Sequence, residues 1–301
     1  MRVVVSGASG LIGTALTESL RADGHTVIAL VRRDARGNDE SSWSPVEHRI
    51  DQDTIASADA IVNLAGASIG ARRLTKSYKQ EVLRSRVDAT TTLVRAVAAA
   101  GTTPRFVQAS SMGFYGGRGD TLLTEASGPG DDFLAHVVRE WEKAASAAEG
   151  LGASVAYLRT GLVLSGHGGF AERLLPLVKR GLLGGFGKGT AYQSWITLHD
   201  HVRATRLLLD NDVEGPVNVI APQPVTDSEL VAALSRAFGR TPGLKVPGWI
   251  LRAAIGEAVS DLLASQRGVP RVLSERGFEW DHPTIEAAAQ YVADSTSTNS
   301  A

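Results

Sequence analysis

The stretch VVVSGASGLIG, Val3–Gly13, decides how the rest of the chain is read. Its first half is a β-branched run of the length of a buried strand, and it ends at Gly7. Its second half opens a helical pattern, LIGTALTESLRADG, which closes at Gly24, a residue suited to a C-cap. Gly7, Gly10 and Gly13 therefore fall at the turn between a strand and a helix. The first permits a tight turn, the second lets backbone amides approach a pyrophosphate, and the third lets helix and strand pack closely. The helix N-terminus adds positive potential. In this setting the glycines predict a dinucleotide site formed by Gly7, Ser9, Gly10, Leu11, Ile12 and Gly13, over the alternative of glycines used for packing alone.

The next strand, HTVIALVRR, bears on which dinucleotide binds. An acidic residue at its end would hold the ribose hydroxyls of NAD. This chain has Arg32 and Arg33 there, and guanidinium groups suit a 2′-phosphate, so NADP(H) is expected over NAD. Asp51, at the end of EHRID, has two readings: a contact to the adenine amine, or a cap for the helical turn DTIAS.

Outward from these strands, strand and helix alternate through RFVQASS and SVAYLRTGLVLS, while DARGNDESSWSPVE reads as loop. Alternation favours parallel βαβ units, so the expected fold is α/β, a doubly wound parallel Rossmann sheet. The sheet domain is expected over residues 1–165, completed by about 195–220. Residues 166–194 and 221–293, where the alternation loosens, are expected to form a smaller, mostly helical C-terminal substrate lobe, with 294–301 a flexible tail. The 301 residues carry a formal net charge of -1, which gives no electrostatic reason to expect nucleic acid or an acidic membrane surface as partner. The absence of cysteine excludes disulfides and thiolate metal sites. No apolar run approaches the roughly 20 residues that span a bilayer, and the N-terminus lacks the apolar core of a signal peptide, so a cytoplasmic protein is expected.

Several motifs together resemble a known family. GASGLIG, NLAGA after the fourth strand and SSMGFYG after the fifth resemble the extended short-chain dehydrogenase/reductases, the NAD(P)-dependent epimerase/dehydratase superfamily. DDFLAHVVREWEKAA, SWITLHDHVRA and GFEWDHP resemble an epimerase-like branch with its own C-terminal domain. The resemblance implies a cofactor role for Leu64, Ala65, Gly66 and Ser110, and implies that Ser111, four residues before Tyr115, orients a substrate oxygen. It also implies a tyrosine and, four residues later, a lysine that together move the proton. Those two are missing. Alignment on Glu142 puts Leu134 and Val138 at their positions, and none of Tyr78, Tyr115, Tyr157, Tyr192 and Tyr291 has a lysine four residues on.

Three residues are weighed as replacements. Tyr115 follows a sheet's C-terminal edge and is a candidate proton donor or a pocket wall. Glu125 is a loop carboxylate. His136 sits about 200° round the helix from Leu134 and is expected to face away. Arg86 stands where the family carries asparagine, and is read either as a binder of an anionic substrate or cofactor phosphate, or as half of a surface ion pair. By resemblance, LLGGFGKGTAYQSW covers the substrate cleft, with Lys188, Tyr192 and Trp195 as contacts unless Trp195 is core, and its glycines suit a mobile lid. Asp200 is read as a helix cap, and the flanking His199 and His201 find no third ligand, so no metal is expected. Two functions follow: an NADP-dependent epimerase or oxidoreductase of a small polar substrate, or an NADP(H)-binding sensor without catalysis. Relatives often dimerise through their two long helices, here Leu74–Ala100 and Asp132–Ala148, which makes a homodimer the implied assembly.

Overall fold

The structure, a computed structural model, describes residues 1–250 and 263–297. Its first half runs β1 (Arg2–Ser6), α1 (Leu11–Ala22), β2 (Thr26–Val31), β3 (Glu40–Ser44), β4 (Arg49–Ile50), α2 (Gln52–Ala56), β5 (Ala60–Asn63), α3 (Lys76–Ala100), β6 (Arg105–Ser111), β7 (Leu122–Leu123) and α4 (Phe133–Ser146). Then come β8 (Val155–Thr160), β9 (Leu162–Leu164), α5 (Gly169–Lys179), β10 (Leu183–Phe186), β11 (Tyr192–Gln193), β12 (Trp195–Thr197), α6 (Leu198–Asp210) and β13 (Gly215–Val219). The last described elements are β14 (Val225–Thr226), α7 (Asp227–Ala237), β15 (Leu244–Val246), β16 (Arg267–Gly268), α8 (Arg271–Glu275) and α9 (Ile285–Ser297). Part of the helical run expected after Val246, residues 251–262, lies outside the described residues.

The central sheet has the order β13-β8-β6-β5-β1-β2-β3-β4, and every pair is parallel except β3 with β4. This is the doubly wound α/β sheet that the alternation of strands and helices implies. The side-chain alternation of β1 shows how both faces are filled. Val3 and Val5 join Leu16, Leu208 and Val217 on one face, while Val4 joins Ile28, Leu93, Val97 and Phe106 on the other. A strand buried on both faces reads as an unbroken apolar run, as Val3–Val5 does.

Three expectations change. The third parallel strand, Glu40–Ser44, lies inside the stretch read as loop. Its apolar content is one residue, Trp43, but Ser41 and Trp43 alternate inward, and β2 supplies the ladder. The C-terminal region is less helical than expected: β10 pairs with β15 and β11 with β14 among α5, α7, α8 and α9. Residues 294–297, expected in a flexible tail, continue α9. Among the described residues, no helix is long and apolar enough to cross a membrane.

Candidate functional site

The chain leaves β1 for β2 on one side and places β5 on the other, so the sheet order reverses between β1 and β5. In open α/β sheets a crevice forms at such a point, outside the carboxyl ends of the strands. The Gly7–Gly13 turn sits there. Gly7 has φ +72°, and a Cβ on it would lie 2.8 Å from the Leu64 carbonyl. A Cβ on Gly13 would lie 2.2 Å from the Gly7 oxygen, so α1 reaches the turn only without a side chain there. Gly10 caps α1 with no side-chain acceptor, and no acidic residue lies in the first turn, so the amides of Leu11, Ile12 and Gly13 keep their positive end open. Ser9 and Gly10 are exposed at its mouth. The backbone thus fits a pyrophosphate cradle, with Leu64, Ala65 and Gly66 along its flank.

At the end of β2 the two arginines differ. Arg33 is held by Glu40 through two bonds of 2.7 and 2.6 Å, which keeps the Glu40 carboxyl down at about 2. Arg32 is exposed and makes no hydrogen bond among the described residues. Asp51 caps α2, its carboxylate accepting from the Asp53 amide and the Thr54 hydroxyl, which is the second of its two sequence readings.

Beneath the crevice lies a polar network. Ser6 donates to Asn63 at 2.5 Å, and Asn63 donates to Thr90 and Gln108 at 2.9 Å each. The Trp141 indole donates to Thr90 at 3.1 Å. Four of these, Ser6, Asn63, Thr90 and Gln108, are fully buried, so the network ties the ends of β1, β5 and β6 to α3. Arg86 stands above it, 9 % exposed, its guanidinium 4.9 Å from the Trp141 ring centre and its Nη1 donating to the carbonyls of Ala67 and Val82. Among the described residues it makes no surface ion pair.

Ser110 and Ser111 point to different work. Ser110 donates to Glu142 at 2.5 Å, which turns its hydroxyl toward α4. The Ser111 hydroxyl, half-buried, accepts from the Gly113 amide at 3.0 Å, and a Cβ on Gly113 would lie 3.3 Å from that hydroxyl and 3.6 Å from the Leu134 Cβ. Leu134 is partly buried and Val138 buried, so the inner face of α4 is aliphatic where a tyrosine and lysine are missing. His136 is exposed on the opposite side, as its phase requires.

Tyr115, weighed as a proton donor or a pocket wall, lies in the core. It is 0 % exposed, its hydroxyl donates to Asn218 at 2.7 Å and accepts from Arg159 at 3.0 Å. Burial raises its pKa, despite the Arg159 guanidinium beside it. Glu125 ties β13 to the start of α8. Its Oε1 accepts from the backbone amides of Asn218 and Val272, both at 3.1 Å, and its Oε2 is fully enclosed. Asn218 and Arg159 are the residues the motif reading missed. Arg159 is a charge in the otherwise apolar strand VAYLRT, and a cation there needs a buried partner, which Glu142 provides.

The glycine-rich segment after α5 forms β10, a turn and β11. The Asp227 carboxylate accepts from the amides of Phe186 and Ala191, and the Lys245 amine donates to the Lys188 carbonyl, so this turn is clasped rather than a free lid. A cavity of about 430 Å³ opens there between Lys188, Tyr192, Phe186 and Asp120. The Arg267 guanidinium sits 4.9 Å from the Tyr192 ring centre, while Trp195 is 1 % exposed and belongs to the core.

Asp200 is not the cap of α6. Thr197 caps it, and the buried Asp200 carboxylate accepts from the amides of Asp281 and His282. His199 donates to the Asp281 carboxylate at 2.6 Å, and Arg203 bridges Asp200 and Asp281 at 3.0 and 3.1 Å. Asp281 is the third ligand that the spacing did not show: His199, Asp200 and Asp281 offer ligand atoms within 4.8 Å of one another, and the Arg203 guanidinium spans the two carboxylates and helps fasten the WDHP segment to α6. His201 is fully buried between Thr160 and Thr205, and burial lowers its pKa to about 4.

Comparison with known proteins adds three findings. Residues 3–221 match the NAD dependent epimerase/dehydratase family, and residues 246–292 match a domain of unknown function, DUF1731. The chain is 39% identical over 299 residues to epimerase family protein ML0860 of Mycobacterium leprae, covering 99% of this chain and 97% of that one. Among solved structures it resembles human epimerase family protein SDR39U1 crystallised with NADPH, at a TM-score of 0.87 and 30% identity over 98% of this chain and 99% of that one. It also resembles the nucleoside-diphosphate sugar epimerase of Corynebacterium glutamicum, at a TM-score of 0.80 and 34% identity over 98% of this chain and 59% of that one.

Proposed function

The chain belongs to the NAD dependent epimerase/dehydratase family, and from that premise we propose that it is an NADP(H)-binding, epimerase-like oxidoreductase. The observation that carries this reading is the cradle: two glycines whose Cβ positions are occupied by backbone, at an uncapped helix N-terminus on the switch point of the sheet. Ser9, Gly10, Leu11, Ile12 and Gly13 would hold the pyrophosphate, and Arg32, open at the end of β2, would hold the 2′-phosphate. NADPH in the human relative supports the choice of cofactor. When bound, the nicotinamide supplies or accepts a hydride.

The protein's own residues then have two tasks. Ser111 offers a hydroxyl beside the aliphatic face of α4 that can position a substrate oxygen, and Leu134 with Val138 keeps that place dry. No side chain of that face can give a proton, so a water or the substrate lobe, where Lys188 and Tyr192 line a cavity, must serve. The substrate class is a small carbonyl or hydroxyl compound, with nucleotide-linked sugars the first to try. A cytoplasmic homodimer, paired through α3 and α4, completes the reading. The test is direct: titrate NADPH, then follow its oxidation against a panel of carbonyl compounds and sugar nucleotides. Tight NADPH binding with no turnover on any of them tells against an oxidoreductase.

One observation favours a second reading, a sensor of NADP(H) without catalysis: the expected proton donor Tyr115 is walled into the core and α4 offers no replacement. A sensor must bind the oxidised and reduced cofactor with different affinity, because equal affinity shifts no equilibrium. Equal dissociation constants for NADP⁺ and NADPH would remove this alternative.

A further inference from the structure

Arg86 is a buried cation without a counter-charge. The residue is 9 % exposed, yet no carboxylate pairs with it among the described residues. Two backbone carbonyls take its Nη1, and Trp141 takes one face of the guanidinium. Burial pushes its pKa down to about 10, with only Tyr78 acting against it. Its Nε and Nη2 make no hydrogen bond among the described residues, and neither belongs to the fully enclosed polar atoms that lack a partner. They form a free, planar two-donor edge.

The opposite, Nη1 side of the guanidinium has a specific neighbour. A Cβ built on Gly66 would lie 3.1 Å from the guanidinium carbon and 3.2 Å from Nη1, so the flank of the crevice rests directly on Arg86. Gly66 belongs to the same turn whose Leu64 packs on Gly7. The guanidinium is therefore held and stacked at the wall of the dinucleotide crevice, largely desolvated but for its free edge. A desolvated cation is unfavourable alone and favourable once an anion meets it, and two parallel N–H groups match a carboxylate or a phosphate.

We propose that Arg86 is an oxyanion anchor, and that a carboxylate or phosphate of the molecule bound in the crevice completes its ion pair. The proposal rests on the reading of the crevice as the NADP(H) site. Two sources can supply the oxyanion, a phosphate of the cofactor or an anionic group of the substrate. If Arg86 served only structure, through its carbonyl bonds and Trp141, its loss would destabilise the protein. An anchor awaiting its anion acts in the opposite way.

The test uses the full chain, with Arg86→Met to keep length and stacking, and Arg86→Lys to keep charge without the fork. Thermal midpoints are measured in chloride, inorganic phosphate and malonate at one ionic strength, with and without NADPH, and NADPH affinity is measured separately by fluorescence. The expected result is an oxyanion-dependent rise in midpoint that is larger in the wild type than in R86M, with R86M at least as stable as wild type in chloride. If the oxyanion is the cofactor's, R86M weakens NADPH binding by at least about tenfold, and NADPH abolishes the Arg86-dependent rise. If it is the substrate's, NADPH affinity stays within about threefold and the NADPH-loaded wild type keeps the rise with malonate. Should R86M fail to fold, R86K decides, and it is expected to lose at least half of the rise. Equal rises in wild type and variants, with unchanged NADPH affinity, overturn the proposal. Wild type that fails to bind NADPH but shows the Arg86-dependent rise sinks the function proposed above and leaves the anchor standing.

Discussion

Arg159 and Glu142 meet in a two-pronged ion pair, Nε to Oε1 and Nη2 to Oε2 both at 2.9 Å, with side-chain exposures of 5% and 13%. Burial alone would lower the arginine's pKa, but the bonds to Glu142 outweigh it and raise the value. Phe114 stacks on the guanidinium at 3.5 Å, the Tyr115 hydroxyl accepts from Arg159, and the Ser110 hydroxyl donates to Glu142. Removing one partner leaves the other charged and dry. Glu142→Ala is expected to destabilise the protein by about 3–5 kcal/mol in denaturant unfolding. Combining it with Arg159→Leu should recover a substantial part of that loss. A double variant as unstable as the sum of the two singles shows that the pair is not the coupled unit described here.

Tyr115 belongs to this same unit. Its hydroxyl donates to Asn218 and accepts from Arg159, so Tyr115→Phe leaves an acceptor and a donor unmatched and is expected to cost about 1–3 kcal/mol of stability. NADPH affinity should stay unchanged, and any turnover found should fall by much less than the roughly hundredfold or more that loss of a general acid brings. A variant of normal stability that loses turnover by that larger factor would restore Tyr115 as the proton donor.

Gly13 tests the cradle. With the Gly7 oxygen 2.2 Å from a new Cβ, Gly13→Ala must push α1 away from the turn. An overpacked contact of this kind costs about 1–3 kcal/mol, and the displaced amides should lower NADPH affinity beyond what the stability loss explains. Calorimetric titration on protein that is still folded is the measurement. Unchanged affinity would mean that the helix N-terminus does not hold the pyrophosphate.

Arg32 and Arg33 should separate in their effects on cofactor choice. Arg32→Gln is expected to weaken NADPH by about tenfold or more while sparing NADH, since one charge-assisted contact is lost. Arg33→Gln should act less on cofactor choice and more on the β2–β3 end that it closes with Glu40. Identical loss of NADPH preference in both variants would mean that Arg33 leaves Glu40 when the phosphate arrives.

His201 makes stability depend on pH in a defined window. Its folded pKa lies at about 4, below the ordinary 6.5, because a charged ring would be desolvated between Thr160 and Thr205. The unfolded chain therefore takes up a proton, as pH falls through about 6.5, that the folded one refuses. Its contribution is complete above 6.5 and is lost as pH falls toward 4, by at most about 3 kcal/mol. His201→Gln should flatten the unfolding free energy between those values, and an unchanged slope there would place the dependence elsewhere.

The sequence alone determined the fold class and the glycine turn at the switch point of the sheet. Both depend on local rules: an apolar run buried on two faces, glycines that no side chain can replace, and a helix opening without an acidic residue. It also determined that the tyrosine and lysine relay is missing, since no spacing can restore absent residues. The tertiary structure decided what the polar residues near the crevice do. Tyr115, Glu125 and Ser110 sit in motifs that favour a site, yet their hydrogen bonds run to Asn218, Val272 and Glu142, residues distant in sequence. Spacing along a chain cannot show such a partner. Glu40 took Arg33 from the cofactor end for the same reason, because parallel pairing of β2 with β3 brings the two side chains together. Arg86 was legible as an unusual residue but not as an unpaired one: a missing counter-charge is a property of everything that surrounds a side chain in space.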